Sequence, residues 1–112
     1  LFLDHRLTRE RVRAESKDKK VLNLFAYTGS FSVYAAAGGA NEVVTVDLSK
    51  TYLGWAEKNL QLNGFTEQAK YKFIHADVMQ YLKTLPAGHF DLISATVREW
   101  TISLTYNETM WK

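Results

Sequence analysis

At 112 residues and 46% apolar side chains, the chain is sized for a single domain that buries about two thirds of the surface its unfolded form would expose. It contains no cysteine, which excludes disulfides, thiolate metal sites and cysteine nucleophiles and fits a cytoplasmic setting. No run approaches the roughly 18 apolar residues of a membrane span, no secretory leader precedes Leu1, and an opening leucine reads as a piece cut from something longer.

The formal net charge of +2 is unevenly placed. Residues 1–20 carry seven basic residues against four acidic ones, whereas the remainder carries seven against eight. On a helix Arg6, Arg9 and Arg13 fall at i, i+3 and i+7, one face suited to a phosphate backbone. The same spacing equally suits a solvated face with Glu10 and Glu15 as local partners.

In chain order, residues 5–17 read as a polar helix and Val21 to Phe25 as a short buried strand. Phe31 to Ala37 is helix-compatible and stops at Gly38 and Gly39. Glu42 to Asp47 is the next strand. Ser49 suits the cap of a helix in which Leu53, Ala56 and Leu60 recur at i, i+3 and i+7, and Asn63 with Gly64 ends it. Lys70 to His75 alternates as a strand, Asp77 opens a helix through Lys83, Pro86 to Gly88 turns, and Phe90 to Ala95 forms a fourth strand. Strands alternating with helices in this way predict an α/β, Rossmann-like, doubly wound and mostly parallel sheet. With no linker or repeat, one domain is expected over 1–112: a basic lead-in at 1–20, a βα core at 21–95 and an atypical tail at 96–112.

Such sheets bind ligands beyond the carboxyl ends of their strands, and two features fall there. The first is the turn NLFAYTGS from Asn23 to Ser30; the second is Asp47, closing VVTVD. A small-residue turn lets backbone approach a ligand, and a carboxylate at the next strand tip accepts both hydroxyls of a ribose. A dinucleotide site would offer three glycines for pyrophosphate, but only Gly29 lies in this turn, which disfavours an oxidoreductase. A glycine between Thr28 and Ser30 suits S-adenosylmethionine, whose amino-acid end rests on backbone and hydroxyl groups. Asp77 is placed to meet its adenine, and equally to cap its own helix. His5, His75 and His89 have no metal-ligand spacing, so no metal is assigned. Tyr52 and Trp55 read as packing residues rather than base-stacking platforms.

Four segments in order, FLDHR from Phe2, NLFAYTGSFSVYAAAGGA from Asn23, VDLSKTYLGWAEKNLQLNG from Val46 and HADV from His75, together resemble the class I methyltransferases that modify bacterial 23S ribosomal RNA. The similarity is greatest to the guanine-N7 methyltransferase half of the fused K/L-type enzyme and covers about residues 1–93. The resemblance implies that Phe25, Tyr27, Thr28, Gly29 and Ser30 cradle the methionyl part of the cofactor. It implies that Asp47 holds the ribose and Asp77 the adenine amine, with Leu48 and Val78 beside them, and that Asp4 and Arg6 stand near the mouth. The implied partner is ribosomal RNA, met through the basic N-terminal segment.

That family continues the fourth strand into an acidic or amide residue, two prolines and an aromatic, a turn that holds the target base. Here the sequence runs DLISATVREWTISLTYNETMWK, and Pro86 is the only proline. A sheet truncated after its fourth strand is therefore expected, with S-adenosylmethionine binding retained and methyl transfer weak or lost. A bare fourth strand would be an aggregation template. Ile102, Leu104 and Tyr106 alternate with Thr101, Ser103 and Thr105, so residues 101–106 are expected to pair beside it, within the chain or in a homodimer.

Overall fold

The computed structural model describes residues 2–24, 30–85, 88–97 and 100–105. The element order is β1 (Phe2–Asp4), α1 (His5–Glu15), β2 (Lys20–Leu24), α2 (Ser30–Ala37), β3 (Glu42–Asp47), α3 (Lys50–Leu62), β4 (Tyr71–His75), α4 (Val78–Thr84), β5 (Leu92–Val97) and β6 (Trp100–Thr105). They build one six-stranded sheet in the order β1-β6-β5-β2-β3-β4. The strands β5, β2, β3 and β4 are parallel. β6 turns back antiparallel to β5, and β1 is antiparallel to β6.

The central parallel strands β2 and β3 are buried on both faces and read as near-continuous apolar runs, and strand alternation sorts residues between two cores. Val21, Val43 and Leu92 pack with Val12 of α1 and with Phe31 and Ala35 of α2. Leu22, Leu24, Val44, Val46 and Ile93 face the other way, onto Val78 and Leu82 of α4 and onto Phe90. Leu53 and Ala56 of α3 complete the first face against Phe73. The result is three layers, with α1, α2 and α3 on one side and α4 on the other.

Local chemistry sets the ends of the helices. Ser49 Oγ accepts the Tyr52 N–H at the start of α3, and Gly64 takes φ +86° just past Asn63, where a side chain would be strained. Gly38 serves packing instead. A Cβ there would overlap the Arg13 carbonyl oxygen and lie 3.1 Å from Arg13 Cα, so only glycine lets α1 close onto the end of α2. At the amino end of the sheet Asp91 clamps β2 to β5, its N–H donating to Lys20 O and its Oδ2 accepting from Lys20 N.

Val12 of α1 is fully buried in the core, and Phe2–Asp4 forms a strand that sequence pattern alone did not show. The tail adds the expected strand beside the fourth parallel strand, over Trp100–Thr105. β6 covers the edge of β5 within the chain, pairing Ala95 with Ile102 and Ile93 with Leu104, so that edge is not open to a second copy. The expected turn at Pro86 and the end of the tail lie outside the described residues.

Candidate functional site

The carboxyl ends of β2, β3 and β4 form one rim. β2 is the switch point of the sheet, with β5 on one side and β3 on the other, the position where open α/β sheets bind ligands. Asp47 is the last residue of β3 and only 7% exposed. Its Oδ1 accepts from Ser49 N at 2.8 Å, so the carboxylate also organises the turn into α3. No lysine or arginine pairs with it among the described residues. An anion at a strand tip with no cation beside it fits a ligand that donates neutral hydroxyls.

Asp77 stands two residues beyond His75, which pairs in register with Asp47, so the two carboxylates sit at neighbouring strand ends. Asp77 is exposed and caps α4, its Oδ1 accepting from Gln80 N at 3.1 Å. The capping role expected for it is therefore present, and its other oxygen is left for a ligand amine. Leu48 is 64% exposed and offers an apolar surface beside Asp47. Val78 does not: its side chain is committed to the core under α4. Ser30 begins α2. Phe25, Tyr27, Thr28 and Gly29 lie outside the described residues.

Asp4 and Arg6 are on the correct end of the sheet but far across it. Asp4 pairs with Trp100, which pairs with Val97 at the carboxyl end of β5. Three interstrand spacings of ~4.8 Å put β1 about 14 Å from β2.

Two features were missed in the sequence. Asn23, Ser32 and Thr45 form a fully buried polar chain beneath the rim: Asn23 Nδ2 donates to Ser32 Oγ at 3.0 Å, and Ser32 Oγ meets Thr45 Oγ1 at 2.7 Å. The amide is thus oriented, and its Oδ1 has no partner among the described residues, leaving an acceptor two positions before residue 25. The available signal was a polar residue interrupting two apolar strands at register-paired positions, Asn23 and Thr45. The second is His75, whose Nε2 lies 2.8 Å from Leu48 O and ties the segment after Asp47 to β4. A cleft of about 300 Å³ lined by Glu57, Phe65, Glu67 and Tyr71 lies at the other end of β4, away from this rim.

A doubly wound sheet with an acidic strand tip beside its switch point defines a nucleoside-cofactor domain. Comparison with known proteins sharpens this: the family model for S-adenosylmethionine-dependent methyltransferases matches residues 1–101, and the chain belongs to that family. It is 59% identical over 93 residues to the ribosomal RNA large subunit methyltransferase K/L of Shewanella sediminis, covering 83% of this chain and 13% of that protein. To the ribosomal RNA large subunit methyltransferase K of Neisseria meningitidis it is 55% identical, covering 83% of this chain and 27% of that one. The chain therefore spans a small part of the relatives it matches. Among solved structures, a SAM-dependent methyltransferase from Agrobacterium tumefaciens superposes with TM-score 0.66 at 38% identity, over 80% of this chain and 29% of that one. SMU.776, solved with SAH bound, superposes with TM-score 0.70 at 33% identity, over 89% and 28%. Among the described residues no helix is long and apolar enough to cross a membrane.

Proposed function

We propose that this chain is the cofactor-binding part of an RNA methyltransferase acting on guanine in large-subunit ribosomal RNA in the cytoplasm. The observation that carries the reading is Asp47: a buried carboxylate at the β3 tip, with one oxygen used by the Ser49 backbone and no cation paired with it among the described residues. In this reading Asp47 accepts the ribose hydroxyls of S-adenosylmethionine, Leu48 covers the nucleoside and Asp77 accepts from the adenine amine. The 25–29 turn with Gly29 carries the methionyl end, and the Asn23–Ser32–Thr45 chain steadies β2 and β3 beneath it. When bound, the cofactor supplies an electrophilic methyl group. Guanine N7 is already nucleophilic, so what the protein adds is in-line positioning rather than a base.

RNA enters along α1. β1 brings Asp4 and the start of α1 to the carboxyl end of the sheet, and the helix then carries Arg11 and Arg13 toward the amino end. A dimer through the β5 edge forms no part of the proposal, because β6 occupies that edge. Relatives at 55–59% identity are named for methylation of ribosomal RNA, which supports the substrate. A second reading, retained cofactor binding without transfer, is favoured by the run VREW where the family has its proline turn.

Calorimetric titration of S-adenosylmethionine, with Asp47→Ala and NADH as controls, tests the cofactor assignment. Saturable binding lost in the variant supports it; absence of binding by the folded protein refutes it. Single-turnover transfer to ribosomal RNA then separates the two readings.

A further inference from the structure

We propose that the cleft between α1, α2 and α3 binds an unpaired nucleotide of an RNA strand, at a subsite distinct from the methyl-transfer end. The proposal rests on the reading of the chain as part of an RNA methyltransferase and adds to it where a second stretch of the substrate is held.

The cleft measures about 260 Å³ and is lined by Arg13, Val33, Tyr34, Ala37 and Asn63. Its chemistry is that of a nucleotide. Tyr34 is half-buried, packs against the Val12–Phe31 core and lines the cleft, and a base entering there would stack on its ring. Asn63 caps α3 with its Nδ2 donating to Asn59 O, which fixes the amide and leaves its oxygen to accept from a base edge. Arg13 is exposed and has no carboxylate partner among the described residues, since the nearby Glu15 is taken by Arg11 at 3.1 Å. A guanidinium beside an aromatic ring meets a phosphate or a base plane equally well.

The placement is built into the backbone. Gly38 N donates to Tyr34 O, and its missing side chain lets the Arg13 backbone press against it, so the guanidinium-bearing turn of α1 is held over the end of α2. Exposed Lys17, Lys19 and Lys20 follow in the chain with Glu15 and Asp18 among them, so the stretch 13–20 carries net positive charge, the sign a polyanion requires.

Distance separates this site from the chemistry. Asn63 lies one α3 length from Asp47, and the 13 residues of α3 span ~20 Å. A base in the cleft is therefore not the methylated base but one several nucleotides along the same strand, or one brought near by the fold of the RNA.

The test is fluorescence anisotropy of a labelled single-stranded octaribonucleotide against the 112-residue chain, with a blunt RNA duplex as comparison. S-adenosylmethionine titration of every variant serves as the control for folding and for the cofactor reading. Single-stranded RNA is expected to bind more tightly than duplex. Arg13→Gln is expected to weaken it by about five- to tenfold and to lower the salt slope by ~0.7, the value for one single-strand phosphate contact. Tyr34→Leu should weaken it by about tenfold while Tyr34→Phe binds as the parent does, because stacking needs the ring and not the hydroxyl. All variants should keep the parent affinity for S-adenosylmethionine. Parent-like RNA binding by both Arg13→Gln and Tyr34→Leu overturns the site, as does equal binding of duplex and single strand. Failure of the parent chain to bind S-adenosylmethionine is a different result and strikes the methyltransferase reading itself.

Discussion

Asp47→Asn separates the two tasks of this carboxylate. In the parent, Oδ1 accepts the Ser49 N–H at 2.8 Å, and in the proposed reading the remaining acceptor capacity serves the ribose. The amide retains one oxygen, which the short Ser49 contact keeps, so the atom offered to a ribose becomes an NH₂ group that cannot accept a hydroxyl proton. Stability should fall by less than ~1 kcal/mol, since a charge-assisted bond becomes an ordinary one. Two hydroxyl bonds to a charged acceptor at ~1.5 kcal/mol each give ~3 kcal/mol, or about a hundredfold in affinity. Asp47→Ala loses the backbone bond as well and should cost ~1.5–3 kcal/mol of stability besides the affinity. Calorimetry with S-adenosylmethionine and urea unfolding read the two quantities separately. If Asp47→Asn binds the cofactor as tightly as the parent, Asp47 is a turn residue only and the ribose assignment is wrong.

Other outcomes follow from the same geometry. Gly38→Ala should destabilise by ~1–3 kcal/mol in urea, because the new methyl group meets α1 backbone that cannot rotate away; a stability equal to the parent's would mean that the two helices separate freely. Thr45→Val removes the far end of the buried chain and leaves the Ser32 hydroxyl short of a partner, a loss of ~1–3 kcal/mol by thermal or urea unfolding. Asp77→Ser keeps a cap on α4 and should preserve stability within ~0.5 kcal/mol while weakening S-adenosylmethionine binding, whereas Asp77→Ala should lose ~1 kcal/mol as well. Burial, and secondarily Glu67, raises the Tyr71 pKa above 10.0, and burial with Glu42 does the same for Tyr81. Both phenols stay protonated longer in the folded state, so their contribution is intact below pH 10 and is lost as pH rises through the raised values. Tyr71→Phe should flatten the alkaline limb of the stability profile measured by unfolding at successive pH values.

Parallel strands announce themselves in sequence because burial on both faces forces apolar runs, and β2 and β3 were legible for that reason. The tail strand was legible through alternation: Ile102 and Leu104 against Thr101 and Ser103. Phe2–Asp4 was not, since three residues carry no period and their partner lies about a hundred positions along. Asp47 and Asp77 stood out as candidate site residues because one closes a strand and the other follows one. Sequence could not separate the two roles of such a carboxylate, because one that caps a turn and one that binds a ribose occupy the same position. Asn23 escaped notice because its partners Ser32 and Thr45 come from two other elements, and only the fold brings them together.

The pairing of Phe2 with Ile102 has a modular consequence. β1 begins, and β6 ends, at the amino end of the sheet, on adjacent strands of one edge, as the pairing of Leu92 with Thr105 also shows. Polypeptide joined before β1 or after β6 therefore departs from a single corner, diagonally opposite Asp47. Set into a larger protein, such a unit would take both connections at one corner, with neither strand end at the cofactor rim.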